Sequence, residues 1–374
     1  MGSPTIWAAE EEKTLPAVVV EWSRNSQLGV ADSANAGVVT QKQLEARTVY
    51  RAGELLEATP GLIVSQHSGE GKANQFYLRG FNLDHGTDLR TTVDGMLVNQ
   101  RSHVHGQGWT DLNFLIPELS TRLEYNKGPY YAGEGDFASA GTASVFYANK
   151  LARGLASVGI GQNGFYRTLL ANSPKAGNGN LLYALELFHN DGPFTNPDDY
   201  RKINAVLRYS EGGAATGFNL TAMAYQAKWN ATDQIAQRAV NSGAISRFDA
   251  IDPTDGGAAH RYSLSGEWHQ NIGAASTNIN AYLLHNKLDL FSNFTYFKDD
   301  PINGDQFYQP DKRTTVGINA AQAWRGTWFG REVENTVGLQ FQNDNIFNGL
   351  FRTVARRRLS TTRKDHIVDS SVGV

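Results

Sequence analysis

From about Phe146 onward the chain alternates apolar and polar residues with a period of two. Tyr262, Leu264, Gly266 and Trp268 alternate with Ser263, Ser265, Glu267 and His269. Val337, Leu339 and Phe341 alternate with Thr336, Gly338, Gln340 and Gln342, and Ile203, Ala205, Leu207 and Tyr209 with Lys202, Asn204 and Arg208. Successive side chains of a strand point to opposite faces, so each segment predicts a strand with one apolar and one polar face. About ten such segments follow one another, each long enough to cross a bilayer when tilted. Their links alternate in length: 161–164 and 175–179 are tight, 230–259 and 290–311 are long and polar. Short turns at one end and long loops at the other are the habit of a transmembrane β-barrel.

Upstream the pattern is mixed. Thr40, followed three residues later by Gln43, predicts a capped short helix. A second helix is predicted over Ala52 to Ala58, stopped by Pro60-Gly61. Strands are predicted at Ile63–Gln66, Gln75–Arg79, Leu89–Val93 and Arg122–Lys127, with Asp94-Gly95 as the clearest turn. This reads as a small α+β domain over residues 37–147, followed by antiparallel barrel strands over 148–374. The extension 1–36 carries one apolar island, Leu15, Pro16, Ala17, Val18, Val19 and Val20, whose β-branched run after a proline favours an extended conformation.

Composition narrows the function more than the fold. Lys plus Arg number 34 and Asp plus Glu 37, which gives no electrostatic footprint for nucleic acid. No cysteine is present, so disulfides, cysteine metal sites and thiol nucleophiles are excluded. No apolar run approaches the length of a membrane helix, and the mean hydropathy is -0.41. A barrel wall gives the same average, because half of its residues face a polar interior. No Walker, Gly-x-Ser-x-Gly or His-Glu-x-x-His motif occurs, and no pair of carboxylates is placed for acid–base work. The chain is therefore read as a non-enzyme with no cofactor of its own.

Five short motifs stand in order between 60 and 147: Pro-Gly-Leu-Ile-Val (60–64), Tyr-Leu-Arg-Gly-Phe (77–81), Val-Asp-Gly-Met (93–96), Leu-Glu-Tyr-Asn-Lys-Gly-Pro (123–129) and the Gly/Ala-rich run 131–145. In this order and spacing they resemble the plug domain of the TonB-dependent outer-membrane receptors. The resemblance implies a Gram-negative outer membrane and energised uptake of a scarce solute, with a ferric siderophore or other metal chelate as the default ligand. It also implies a coupling box at Leu15–Val20 that adds as a strand to the periplasmic protein TonB, and a wall in contact with outer-membrane lipid and lipopolysaccharide. Barrels of this plugged type have about 22 strands, and the segments here supply less than half. The chain therefore reads as the plug and the first part of an incomplete barrel. A general diffusion porin and a soluble β-rich carbohydrate-binding protein are the alternatives.

The chemistry concentrates in two stretches, 82–88 and 101–111. By the resemblance these are plug loops facing the incoming ligand, and His85, Asp88, Arg101, His103, His105, Gln107 and Trp109 are its candidate contacts. His103-x-His105 on an extended segment would place both rings on one side, within reach of one metal ion. Trp109 offers a face for an aromatic or sugar ring. The same residues equally suit a polar loop that hydrogen-bonds to itself and to the barrel wall. Arg79 is expected to be buried against a carboxylate such as Glu124 or an acid of the barrel. Gly80, Asp94, Gly95, Gly128 and Pro129 are expected to serve turns and close backbone approach. The arginines at 356–358 read as a solvated basic loop.

Overall fold

The computed structural model describes residues 33–374, so the segment Leu15–Val20 lies outside the described residues. The first part is built on two small sheets. One runs in the order β1 (Ala36–Thr40), β7 (Ser120–Lys127), β8 (Gly141–Tyr147), β5 (Leu89–Val93) and β6 (Met96–Leu97); the other joins β2 (Leu62–Ser65), β3 (Gln75–Leu78) and β4 (Phe81–Asn82). β5 and β8 are parallel and the remaining pairs antiparallel. The core between them is apolar and dry: Leu55, Leu56, Phe76, Leu89, Leu115, Ile116 and Val145 are all buried.

The local signals fold as their chemistry dictates. Thr40 caps the helix Gln41–Glu45, with the Thr40 amide donating to Gln43 Oε1 at 2.9 Å. Ala52–Ala58 winds as a 3₁₀ helix rather than an α-helix, held by bonds such as Thr59 N to Leu56 O at 2.9 Å. Asp94 and Gly95 have φ of 48° and 78°, the two left-handed positions of a two-residue hairpin turn joining β5 to β6.

The second part is one antiparallel sheet. Its strands are β9 (Leu155–Ile160), β10 (Tyr166–Asn172), the two-residue β11 (Lys175–Ala176), β12 (Gly179–Asn190), β13 (Tyr200–Gly212), β14 (Thr216–Asn230), β15 (Gly256–Ile272), β16 (Ala275–Ser292), β17 (Phe307–Trp328), β18 (Arg331–Val354) and β19 (Arg357–Gly373). Apart from β11, which pairs only with β12, each strand pairs with its neighbour in sequence, and β9 and β19 are the two edges of an unclosed sheet. Antiparallel succession puts the links 191–199, 231–255 and 293–306 at one end, and the links 213–215, 273–274 and 329–330 at the other. The tight link at 161–164 lies at the long-loop end, opposite the tight link at 175–179. The basic run is not a free loop: Ala355 and Arg356, at φ of 48° and 62°, form the β18–β19 turn, and Arg356 donates to the carbonyls of Thr254 (2.6 Å) and Asp255 (2.9 Å).

The alternation is inside out relative to a water-soluble sheet. On β13, Ile203 and Leu207 are half exposed while Lys202, Asn204 and Arg208 are buried; on β15, Tyr262 and Leu264 are exposed while Arg261, Ser263 and Ser265 are buried. Each half-exposed Leu or Ile forgoes about half of the roughly 1.5–3 kcal/mol that full burial gives in water. Lipid tails supply the missing apolar contact, so the wall belongs in a bilayer and not in a soluble sandwich.

The polar inner wall grips the plug by its main chain. Asn280 and Asn319 donate to the carbonyls of Asp94 (3.0 Å) and Gly95 (3.2 Å), and Asn204 donates to Asn113 O at 3.0 Å. Asp94 carries more than a turn: its carboxylate meets Arg208 Nη1 of the wall at 2.7 Å, with both groups buried. The pairing expected of Arg79 is not found among the described residues. Arg79 is exposed, sits at φ 53° in the β3–β4 turn and donates to Asn35, while Glu124 pairs with Arg122 at 2.6 Å. Gly80, at φ 84° with open space around it, completes that turn. Gly128, at φ 109° with the Tyr130 ring where a Cβ would stand, turns the chain into Pro129 after β7.

Candidate functional site

Two plug loops meet the wall at the long-loop end. The first, 82–88, follows β4; the second, 100–109, follows β6 and closes on itself through the bridge between Gln100 and Trp109. Asn99 binds them together, donating to the carbonyls of Gly86 and Leu89 at 2.8 Å each and accepting from the Thr91 amide at 2.7 Å. Gly86 and Gly108 allow the contact: a Cβ on either would lie 2.8 Å from the other's carbonyl oxygen.

The rings of the two loops pack around Trp109. His103 stacks on it at 4.7 Å and 12°, while His85 and His105 approach at 4.8 and 5.3 Å. Trp109 is 2% exposed, so its face is filled by protein and not offered to a ligand ring in this conformation. The 100–109 loop is a series of turns rather than an extended segment, with Ser102 at φ 49°. Each histidine spends its Nδ1 on a local bond: His85 on Asn74 O (2.9 Å), His105 on Gln309 Oε1 (2.9 Å), and His103 by accepting the His105 amide (3.2 Å). The three do not converge on one ion. Among the described residues, the group whose three ligand atoms lie within 4.8 Å of one another is His189, Asp191 and Asp199.

The wall locks the same loop. Gln309 donates to Val104 O at 2.9 Å, and Arg313, paired with Asp311, donates to Arg101 O at 2.6 Å. Arg101 pairs with Asp136 at 2.9 Å and bonds to Ser371, and Asp88 accepts from Ser139. Gln107 is exposed and accepts the Ser102 amide at 2.8 Å. Desolvation holds His85 and His105 down to about 3 and lowers His103 as well, so all three are neutral at physiological pH.

The groups best placed for a ligand lie in a third loop, between β2 and β3. Lys72 is fully buried, its ammonium has no hydrogen-bond partner among the described residues, and the Phe294 ring of the 293–306 link stands 5.9 Å away. Burial, opposed by the acids Asp233 and Asp84, lowers Lys72 to about 8. His67 stacks 5.4 Å from His85 and leaves a buried Nε2 unpaired. Ser68 bonds to Asp233 of the 231–255 link, and Gly69 and Gly71 let this loop press onto Trp229. In the sequence, Lys72 stands in a Gly-rich polar stretch with the look of a solvated loop; its burial comes from residues more than 150 positions away.

The comparisons with known proteins agree on the frame. Residues 30–142 match the model of the TonB-dependent Receptor Plug Domain. Over 137 residues, 37% of this chain and 21% of the relative, it is 29% identical to the vitamin B12 transporter BtuB of Vibrio vulnificus (strain CMCP6). Its fold resembles the unliganded ferric citrate transporter FecA (TM-score 0.71, 12% identity, 93% of this chain and 56% of that one). It also resembles the ferripyoverdine receptor of Pseudomonas aeruginosa (TM-score 0.66, 15% identity, 93% and 48%). The chain thus spans about half the length of these solved structures. A matched plug, a receptor relative and an inside-out wall around that plug agree: residues 30–142 are a TonB-dependent receptor plug domain, and the wall that follows has the fold of the outer-membrane receptors it resembles.

Proposed function

We propose that the chain forms the plug and part of the barrel of a receptor that imports a metal chelate with anionic oxygen donors, a ferric siderophore being the class that fits best. The observation that carries this reading is the buried ammonium of Lys72, unpaired beside the imidazoles of His67, His85 and His105. A buried cation without a partner is costly, and an anionic oxygen is the group that completes it. With their Nδ1 atoms engaged, His85 and His105 present acceptor Nε2 atoms to ligand hydroxyl or amide hydrogens. A metal chelate offers both kinds of group.

The ligand enters between the 231–255 and 293–306 links, which cover Lys72 and hold Ser68. Its binding loosens those contacts and, through the plug, exposes the coupling segment Leu15–Val20 to TonB. An outer membrane holds no nucleotide, so the work of import arrives mechanically from that partner. The wall is held by outer-membrane lipid and lipopolysaccharide. The test is growth of a deletion strain, complemented with the gene's complete product, on a panel of ferric chelates under iron limitation. His103→Ala with His105→Ala lowers growth on the true ligand at an unchanged outer-membrane level. Unchanged growth removes the loop from the site.

A further inference from the structure

We infer that His189, Asp191 and Asp199 form a site for a first-row divalent metal ion, Zn²⁺ being the best fit, at the base of the 191–199 link. A hairpin mouth brings them together. β12 ends at Asn190 and β13 begins at Tyr200, with His189 opposite Arg201 and Asn190 opposite Tyr200. Continuing that register sets Asp191 against Asp199. Residues two apart share a face of a strand, so 189, 191, 199 and 201 stand together on the outward side. One nitrogen of His189 and one oxygen of each aspartate lie within 4.8 Å of one another. His189 Nε2 is 3.2 Å from Asp191 Oδ1, and its Nδ1 is 3.9 Å from Asp199 Oδ1.

Like charges facing each other on one side of a sheet repel, so this pair of carboxylates needs a cation between them. Arg201 meets part of that need, but its contacts at 2.8 Å both fall on Asp199 Oδ1. Asp191 has no Lys or Arg in ion-pair reach among the described residues. His189 supplies the second observation: its Nδ1 is sealed from solvent and has no hydrogen-bond partner among them. At 3.9 Å from Asp199 it is too far for a hydrogen bond. Donors about 2 Å from one ion stand at most about 4 Å apart, so the group closes on a metal by shifts under ~1 Å. The tight 161–164 link leaves the room. Gly164 has φ 66°, and a Cβ there would collide with Asp191 Oδ2 and stand 3.5 Å from His189 Nε2. The ligands are also held in place beforehand. Tyr166 stacks on His189 at 5.2 Å, and Asn163 O accepts the Asp191 amide at 2.8 Å.

The donor set selects the ion. Ca²⁺ and Mg²⁺ prefer shells made of oxygen alone, whereas an imidazole nitrogen beside carboxylates suits Zn²⁺, with water completing the shell. The site stands apart from the Lys72 pocket but is joined to what covers it. The Thr195 amide donates to Phe248 O at 2.9 Å, Asn196 donates to Pro253 O at 3.3 Å, and Phe194 meets the Phe248 ring edge-on at 6.4 Å. The 191–199 link thus leans on the 231–255 link. An ion at its base stiffens both from outside the ligand pocket.

The test uses the gene's complete product in detergent, stripped of metal, and titrates it calorimetrically with Zn²⁺ alone and with Ca²⁺ alone. Zn²⁺ is expected to bind at least tenfold more tightly than Ca²⁺. His189→Gln and Asp191→Asn should each weaken that binding at least tenfold, whereas His285→Gln, elsewhere on the outward face, leaves it intact. Zn²⁺ affinity that survives both variants overturns the proposal, and so does Ca²⁺ bound as tightly as Zn²⁺. Hydrogen exchange of 189–199 in the unsubstituted protein decides the matter even where a variant fails to fold. Zn²⁺ is expected to slow that exchange severalfold. Unchanged exchange would make His189 a simple imidazolium bridge between the two carboxylates and remove the metal site.

Discussion

Asp94 and Arg208, 114 residues apart in the chain, form a buried ion pair at 2.7 Å between the tip of a plug hairpin and the inner wall. The pair does not stand alone. Asp94 Oδ1 also accepts the Tyr147 amide at 3.1 Å, and Arg208 Nε donates to Asn149 at 2.9 Å, just beyond the last plug strand. The contact thus fixes the plug at the point where the chain passes into the barrel. Removing one partner leaves the other charged, dry and unpaired, which costs about 3–5 kcal/mol. Arg208→Ala should therefore lower the unfolding midpoint in detergent far more than Asp94→Asn with Arg208→Gln together. If the single variant proves as stable as the double, the pair does not hold the plug.

Asn99 is the second anchor, and its effect should be local. Its amide makes three main-chain bonds at 2.8 Å or less, to Gly86 of the 82–88 loop and to Leu89 and Thr91 of β5, and reaches Gly108 O of the 100–109 loop at 3.4 Å. Asn99→Ala leaves a buried amide and two carbonyls without that partner, at about 1–3 kcal/mol. The expected outcome is faster proteolytic cleavage within 100–109, with global unfolding shifted less than in Arg208→Ala. Cleavage at the parent's rate would mean that the wall residues Gln309 and Arg313 hold the loop unaided.

The long links carry a pH-dependent latch. Burial, then the neighbouring Asp233 and Asp252, pushes Asp255 up to about 9, and Ser68 of the plug bonds to Asp233. A carboxyl with a raised folded pKa binds its proton more tightly in the closed state than in the open one. The closed state is thus favoured fully below about pH 4, the ordinary carboxyl value, and loses ground steadily as pH rises towards 9. Hydrogen exchange of 231–255 and 293–306, corrected for intrinsic rates, should show protection falling from pH 5 to pH 9. Flat protection over that range would remove Asp255 from the latch.

Much of this was legible in the sequence, for reasons that differ by residue. The Asp94-Gly95 turn follows from conformational preference alone, and the strand alternation at 203–209 and 262–268 from the pleat. A period of two cannot say which face turns outward; the alternation of tight and long links and, above all, the plug-like motifs before it point to a membrane wall. Ala52–Ala58 was placed correctly and its winding was not, because a segment this short satisfies i+3 bonds as readily as i+4. The sequence suggests a buried Arg79 and gives no sign of a buried Lys72, and the structure reverses both for one reason. Burial of a long cation is decided by what the rest of the chain lays over it, here Trp229 and Phe294, and no local pattern records that.

Lys72 also separates stability from recognition. Its ammonium is buried without a hydrogen-bond partner among the described residues, and its lowered proton affinity, to about 8, means that the folded state resists its charge. For a lysine shifted down, the penalty is present in full below about 8 and fades as pH approaches the ordinary value near 10.5. Lys72→Met keeps the length of the side chain, removes the penalty at pH 7 and fills the same space. The variant should raise the unfolding midpoint of the unliganded protein at pH 7, with the gain shrinking towards pH 10. In the same variant, affinity for the anionic chelate should fall at least tenfold, measured by quenching of tryptophan fluorescence. A variant with higher stability and unchanged affinity would show that the buried ammonium is a packing relic, and would move the ligand site away from the loop between β2 and β3.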